Sequence, residues 1–413
     1  MRSVVKTMQA VQKLPADKIK YINNDKKRGI QYNYNLIRKT YNRLGIPDHY
    51  FNPTKRPFDI CKYLIDFSRR GTGKTTGLLL LGLVFHWLYG THTIYVRQTE
   101  NEIAPKFTSN LYDVIKTFDY ISILTENKWN SITYYRRRFY LCNVDENGTV
   151  IEKSSDYCTF LCDVNNATDL KSSYNDPLGD IIIYDEFINE NTYLQNEFVR
   201  FCDLVSTIVR QRYSPIVWML SNNIDKMHPF FYEMECAEIV HSLQPGQYQQ
   251  YTTERGTMCF VEYYSPEVMS KKSNKVLETM NKLFFGFKNK KLGSITGEDW
   301  SITPVQHIPI NKDITFIVNN LYIYAHEKYV KLDIIYDSEL GVCVYVHWAT
   351  RTYDDSIILT IENRYDSRYV YGAGTGKLNR ILTKCLHENR FYYASNDISA
   401  FVRRYFVDIP DVV

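Results

Sequence analysis

The sequence predicts an α/β protein built on a mostly parallel sheet, and three stretches carry that prediction. Cys61–Phe67 is a short apolar run that feeds the loop Gly71-Thr72-Gly73-Lys74-Thr75-Thr76, and an apolar helical pattern follows at once. Asp180–Phe187 (DIIIYDEF) is an apolar strand that ends in two adjacent carboxylates. Such an unbroken apolar run is what a strand buried on both faces of a parallel sheet requires. Ile216–Leu220 (IVWML) repeats the pattern and delivers Ser221 and Asn222 at its C-terminal end.

Strand, glycine-bearing loop and helix in that order make an anion cradle. Backbone N–H groups at a helix N-terminus point at the ligand, and the helix dipole adds positive charge there. The candidate phosphate-binding residues are Ser68, Arg69, Arg70, Gly71, Thr72, Gly73, Lys74, Thr75 and Thr76. Lys74 is placed to reach the β- and γ-phosphates of ATP, and the Thr75 hydroxyl to ligate Mg²⁺. The match to the Walker A pattern departs at one point, because Ser68 stands where the pattern has its first Gly. The plainer alternative is a glycine-rich turn before a buried helix. At the end of the second strand, Asp185 is the second candidate metal residue, and Glu186 the candidate that polarises an attacking water. A paired Asp-Glu suits nucleotide hydrolysis better than phosphate transfer to a second substrate.

Composition bounds the class. At 413 residues with 44% hydrophobic content, the chain is long enough for two domains with ample core. The nine cysteines are scattered; Cys158 and Cys162 are the closest spaced and lack partners for a metal site. The N-terminus has no sustained apolar core, and the longest apolar run, Leu78–Val84, is too short to span a membrane. The expectation is a soluble intracellular protein. Net charge is only +4, yet residues 1–60 hold 13 Lys/Arg against 4 Asp/Glu, which leaves −5 for the remainder. Such an arm either meets nucleic acid or an acidic partner, or is a solvated helical face.

In chain order, residues 1–50 form a basic N-terminal extension with its clearest helix at Gln31–Leu44. Residues 51–265 form the nucleotide-binding domain. Within it, Thr93–Arg97 completes a βαβ crossover and a helix follows around Asn101–Phe118. Arg97 and Gln98 face the same crevice as the loop, either to touch ligand or to form a structural ion pair. Ser131–Cys142 (SITYYRRRFYLC) reads as a strand with a triple arginine, followed by strands at Thr149–Lys153 and Tyr157–Val164 in an antiparallel flank. Arg136, Arg137 and Arg138 either face a phosphate backbone or guard an edge strand. Lys171, in the loop before Asp185, is a candidate to reach nucleotide in its own or a neighbouring subunit. The helix Leu194–Gln211 ends in Arg210-Gln211-Arg212, and Arg210 is the better candidate for a trans-acting finger, the alternative being a helix-end arginine. Asn222 is a candidate to sense the γ-phosphate or orient water.

Tyr251–Tyr264 closes the domain as a strand. Residues 266–310 form a basic linker, with seven lysines among Leu283, Phe284, Phe285 and Phe287. Residues 311–413 return to β pattern at Tyr322–Tyr336, Val342–Trp348 and Ile357–Glu362. Helices follow near Leu378–Glu388 and Ile398–Phe406, a compact α+β layout of the ribonuclease-H type. Gly372–Lys377 (GAGTGK) imitates a phosphate loop but lacks the first Gly and the final Ser/Thr.

The segments FNPTKRPFDICKYLIDFSRRGTGKTT, TIYVRQTENEIAPKF, GDIIIYDEF and VRQRYSPIVWMLSNN resemble, in this order, the motifs of the DNA-packaging ATPases of φ29-like short-tailed phages. These are smaller relatives of terminase large subunits within the ASCE group of P-loop ring ATPases. The resemblance covers roughly residues 50–225. It implies an ATPase that uses ATP and Mg²⁺ to drive double-stranded DNA into a prohead, as a homopentameric ring at the portal, joined in some members by a packaging RNA. It implies a ribonuclease-H-like C-terminal domain without cutting activity, and a place in the host cytoplasm during phage assembly rather than in the mature virion. By motif position, Lys74 and Thr75 match the phosphate-loop pair, Asp185 and Glu186 the Walker B pair, and Arg210 the trans-acting finger. The competing expectations are a terminase with a live metal nuclease, drawing on Asp333, Asp337, Asp354, Asp355, Glu362 and Asp397, and a nucleotide kinase or switch without a DNA role.

Overall fold

A computed structural model gives the fold and describes residues 31–68, 70–167, 176–188, 196–210, 212–222, 228–265, 315–325, 328–338, 340–362, 364–374, 376–388 and 390–407. Arg69, Lys171, Gln211 and the basic linker lie outside the described residues.

The chain enters through helix α1 (Tyr34–Asn42), capped by the Asn33 side chain, which accepts from the Leu36 amide at 3.0 Å. Its Ile37 and Tyr41 are fully buried in the same core as helix α2 (Lys74–Tyr89). The described part of the basic arm therefore packs against α2 in the core of the first sheet. Ten strands form the first sheet: β1 (Tyr63–Phe67), β2 (His92–Arg97), β3 (Ser131–Tyr135), β4 (Arg138–Val144), β5 (Val150–Lys153), β6 (Thr159–Asp163), β7 (Gly179–Asp185), β8 (Ile216–Ser221), β9 (Tyr248–Thr252) and β10 (Met258–Tyr263). The order is β3-β4-β6-β2-β7-β8-β1-β10-β9, with β5 paired to β4. From β6 to β10 along this path the neighbours run parallel. Strand β8 lies between β1 and β7, the inserted strand of the ASCE arrangement. One apolar core, with α1 and α2, covers one face; helix α3 (Glu197–Val209) and the 228–243 segment cover the other.

Register decides where the chemistry falls. Phe67 pairs with Ser221, and Asp185 with Leu220, so the three strands end nearly level. Ser68, Asn222 and Glu186 therefore leave the sheet side by side, at the carboxyl ends of parallel strands where such sheets bind ligands.

Four expectations on individual elements are corrected. The helix expected at 101–118 is broken into short turns at Glu100–Ile103, Pro105–Thr108 and Asp113–Thr117, because Pro105 lacks the N–H a continuing helix needs. Ser131–Cys142 is not one strand but the β3–β4 hairpin. Tyr135 pairs with Arg138 across the two-residue turn Arg136-Arg137, with φ of 49° and 63°. That is the geometry hairpins favour and normally fill with Asn-Gly, and the left-handed region costs a residue with a Cβ roughly 1–2 kcal/mol. Tyr251–Tyr264 is likewise a hairpin, β9 antiparallel to β10, turning at Gly256 (φ 84°). In the C-terminal half, Tyr322–Tyr336 belongs to two antiparallel strands, β11 (Thr315–Ala325) and β12 (Lys328–Asp337).

With β13 (Gly341–Ala349), β14 (Ile357–Thr360), β15 (Tyr369–Tyr371) and β16 (Phe391–Tyr393), the second sheet runs β15-β14-β11-β12-β13-β16. β11, β12 and β13 are antiparallel, whereas β14 returns parallel to β11. Helices α4 (Gly376–His387) and α5 (Asn396–Val407) supply Leu382, Phe401 and Tyr405 to its core. No helix of the described residues is long and apolar enough to cross a membrane.

A buried charge cluster fastens the segment before β1 to the sheet. Arg56, 3% exposed, donates to Asp66 of β1 at 3.4 Å and to the Asn52 carbonyl at 2.8 Å, and forms an ion pair with Glu262 of β10 at 2.5 Å. Its guanidinium lies 4.1 Å from the Phe51 ring centroid. The Trp218 indole N–H also donates to Asp66. Removing the one cation strands the buried Asp66–Glu262 pair, whose Glu262 carboxyl burial already pushes up to about 8, so Arg56→Ala should lose about 3–5 kcal/mol of unfolding free energy. Urea unfolding measures this, and a loss below about 1 kcal/mol would show that the cluster does not hold the segment.

Candidate functional site

The loop between β1 and α2 owes its shape to two left-handed glycines, Gly71 (φ 77°) and Gly73 (φ 79°). At Gly73 a Cβ would also stand 3.0 Å from the Tyr50 ring. α2 starts at Lys74 without a side-chain cap, which leaves its first amides to line the cradle.

Lys74 is 4% exposed. Its Nζ donates to the Ser68 hydroxyl, to the Ser68 carbonyl at 3.3 Å and to Asn222 Oδ1 at 3.0 Å. Ser68 Oγ is also 2.7 Å from Thr72 Oγ1. The serine at the pattern's first-Gly position thus turns its hydroxyl inward to hold the lysine. Burial pulls the Lys74 ammonium down to about 8, against the attraction of Asp185, Asp66 and Glu186.

Thr75 Oγ1 donates to Asp185 Oδ2 at 2.8 Å. The same oxygen accepts from the Tyr95 hydroxyl of β2 at 2.8 Å. Burial pushes the Asp185 carboxyl up, opposed by the Arg97 charge and by the Tyr95 and Thr75 hydroxyls. Next to it Glu186 sits at φ 54°, a turn that swings its carboxylate out of strand alternation toward β8. Asn222 Nδ2 donates to Glu186 Oε1 at 3.0 Å, and Arg97 donates to Glu186 Oε2 at 2.7 Å. Burial raises the Glu186 carboxyl, but the Arg97 charge and these hydrogen bonds outweigh it and hold the group below its ordinary value. It is an anion at neutral pH.

The structure thus brings together Ser68, Thr72, Lys74, Thr75, Asp185, Glu186 and Asn222. Arg97 takes the ion-pair alternative, bridging Glu186 to Glu102, which it meets at 2.8 Å. Arg70, Gly71 and Thr76 belong to the same loop and first helical turn. Arg210 does not join them. It ends α3, exposed, at the start of β8 and so at the opposite edge of the sheet. Arg212 at that corner is committed: its guanidinium bonds Asp180, the Pro177 carbonyl at 2.6 Å and the Gly179 carbonyl at 3.0 Å.

Beside the loop opens a cavity of about 350 Å³, lined on the loop side by Thr72 to Gly77 and on the far side by Ile46, Tyr50, Val114, Phe118 and Tyr120. Sequence reasoning missed that apolar wall. Its members come from the stretch before β1 and the short turns after β2, and only tertiary packing gathers them. Tyr95 was missed too, though a hydroxyl inside an otherwise apolar strand was a signal.

The donors fit a Mg²⁺–triphosphate. Thr75 and Asp185 offer hard oxygens 2.8 Å apart, and Lys74 is a buried cation beside a helix N-terminus.

No protein-family model and no curated protein sequence matches the chain. Solved structures do. A chain of the bacteriophage Phi-29 viral genome packaging motor assembly superposes with a TM-score of 0.51 at 16% identity, over 87% of this chain and 99% of that one. The fold is that of a phage packaging-motor chain. The Phi-28 DNA packaging motor (TM-score 0.49, 14% identity, covering 88% and 99%) and the large terminase of a thermophilic bacteriophage in complex with ADP (TM-score 0.37, 9% identity, covering 90% of each) are also similar. The packaging-motor fold thus spans both sheets of the present chain.

Because an anion restores the charge on Lys74, inorganic triphosphate should bind with net proton uptake near pH 9. Its affinity should fall above pH 8 by up to about tenfold per unit. Calorimetry in buffers of different ionisation heat tests this; identical heats at pH 9 would mean that Lys74 is already charged.

Proposed function

We propose that this chain is the motor ATPase of a phage DNA-packaging machine, hydrolysing ATP to drive double-stranded DNA into a prohead. The observation that carries the reading is the meeting of Lys74, Thr75–Asp185 and Glu186–Asn222 at one helix N-terminus, inside a chain that follows the Phi-29 motor chain over 87% of its length. Lys74 and the α2 amides bind the β- and γ-phosphates, and Lys74 gives up Asn222 to do so. Thr75 and Asp185 hold Mg²⁺, which supplies charge neutralisation on the phosphate oxygens when bound. Glu186, kept ionised by Arg97, accepts the proton of the attacking water. Asn222, between Lys74 and Glu186, links phosphate occupancy to the orientation of that carboxylate. The apolar wall of Tyr50, Phe118 and Tyr120 takes the adenine ring.

The remaining assignments belong to the same reading. Arg210 lies far from its own loop and exposed, so its role is in the site of a neighbouring subunit of a homo-oligomeric ring, a pentamer at the portal. Arg69 and Lys171, outside the described residues, are assigned to the nucleotide on their sequence positions alone. The strand order β13-β12-β11-β14-β15, three antiparallel and two parallel, supports a ribonuclease-H-like domain that meets portal, DNA or a packaging RNA. That domain does not cut in this reading. Asp333 is paired with Lys331 at 2.8 Å and His347 at 3.0 Å, and Asp355 accepts from Asn320 at 2.7 Å.

Duplex DNA should stimulate ATP hydrolysis by the purified protein, and absence of stimulation would favour a switch or kinase. Glu186→Gln should bind ATP with near wild-type affinity while turnover falls at least about a hundredfold; turnover within a few-fold of wild type would dismiss Glu186 as the base. Arg210→Ala should be inactive alone and regain activity when mixed with Glu186→Gln subunits that supply an intact arginine. An active Arg210→Ala protein would remove that residue from the role.

A further inference from the structure

The β3–β4–β5 flank holds a surface that the nucleotide site does not use. Tyr135 and Arg138 face each other across β3 and β4, and Tyr140 follows on the same face by alternation. Cys142 pairs with Lys153 of β5, which brings Lys153 onto that face too. The opposite side of the same strands carries Ile132, Phe139 and Leu141 into the core. The outward side is therefore fixed by packing, not by choice of rotamer.

Its cations are held by its aromatic rings. Lys153 Nζ stands 4.2 Å from the Tyr140 centroid and 5.3 Å from that of Tyr135. Arg136 lies 5.1 Å from Tyr135, and Arg138 lies 5.2 Å from Tyr157 and 5.1 Å from Phe160. None of the three has an ion-pair partner among the described residues, whereas Arg137 is spoken for by Glu100. Glu152 pairs with Asn143 and so projects from the other face of β5. Arg136 and Tyr135, half exposed, stand at the tip.

The turn adds an independent observation. Arg136 and Arg137 occupy left-handed positions that glycine or asparagine would fill without strain. Retained strain of this kind marks a place where the side chain matters more than the turn.

We propose that this flank is a track for the phosphate backbone of duplex DNA, contacted by Arg136, Arg138 and Lys153. The inference rests on the packaging reading and adds the surface that grips the duplex. Each ring already carries a cation, so the face offers pre-oriented charge rather than bare stacking platforms. A sequence-blind duplex backbone is gripped by such charge alone, whereas a single strand also needs free aromatic faces on which its bases stack.

The test is binding of a fluorescent duplex of about 30 base pairs across a salt series, with ATP hydrolysis followed with and without DNA. The double variant Arg136→Gly/Lys153→Ala should flatten the log–log salt slope by about 2. Basal hydrolysis should stay at the wild-type rate while DNA stimulation drops several-fold. Arg136→Gly alone should raise the thermal midpoint, since it relieves the turn, and still weaken duplex binding; a purely structural arginine would not move the two in opposite directions. An unchanged slope in variants of a protein whose wild type is DNA-stimulated overturns this surface and leaves the packaging reading standing. A slope lost for structured RNA but kept for duplex also overturns it. A wild type that neither binds duplex nor responds to it removes both.

Discussion

A single ammonium almost wholly out of water sets the terms for the rest of the molecule. Lys74 survives at the N-terminus of α2 only because oxygens surround it: Ser68 in the loop, Asn222 at the end of β8, and the field of Asp185, Glu186 and Asp66. Burial weakens its hold on a proton, and a polyphosphate would reverse that. The three strands that carry these oxygens end level with one another, so the ion's environment is a property of sheet register rather than of any one loop. A one-residue slip of β8 against β1 would turn Asn222 away and leave the lysine without its amide.

The second constraint is the buried Arg56 cluster. It joins the segment before β1 to both β1 and β10 and holds Phe51 under the guanidinium. The neighbouring Tyr50 presses on Gly73 and lines the cavity, so the apolar wall and the glycine loop before α2 share one mechanical anchor. A buried ion cluster is weak evidence for stability in itself. Here it acts beside the buried Phe51 and Phe58, which seat the same loop-rich segment in the core.

The parallel core was legible because its strands are short, apolar and end in chemistry: CKYLIDF, TIYVR, DIIIYDEF and IVWML each stand within two residues of the strand observed. Lys74, Thr75, Asp185, Glu186 and Asn222 were legible for the same reason. The hairpins were not. Both Ser131–Cys142 and Tyr322–Tyr336 keep an unbroken β pattern through their turns, and Arg-Arg offers none of the glycine or asparagine that announces one. The helix expected after β2 failed differently. Its apolar residues have helical spacing, but Pro105 and the packing of Ile103, Tyr112 and Ile115 under β4 and β6 favour separate turns.

Residue order alone determined the glycine loop before α2, the carboxylate pair and the parallel sheet, because each rests on local chemistry: glycines for left-handed turns, apolar runs for buried strands, acids at strand ends. Tertiary structure alone decided which arginine serves which purpose. Arg97 is tied to Glu186 and Arg212 to Asp180, whereas Arg136 is held over Tyr135 on the surface. A guanidinium reads the same at every position in a sequence, and only the fold shows which carboxylate, ring or stretch of solvent it meets.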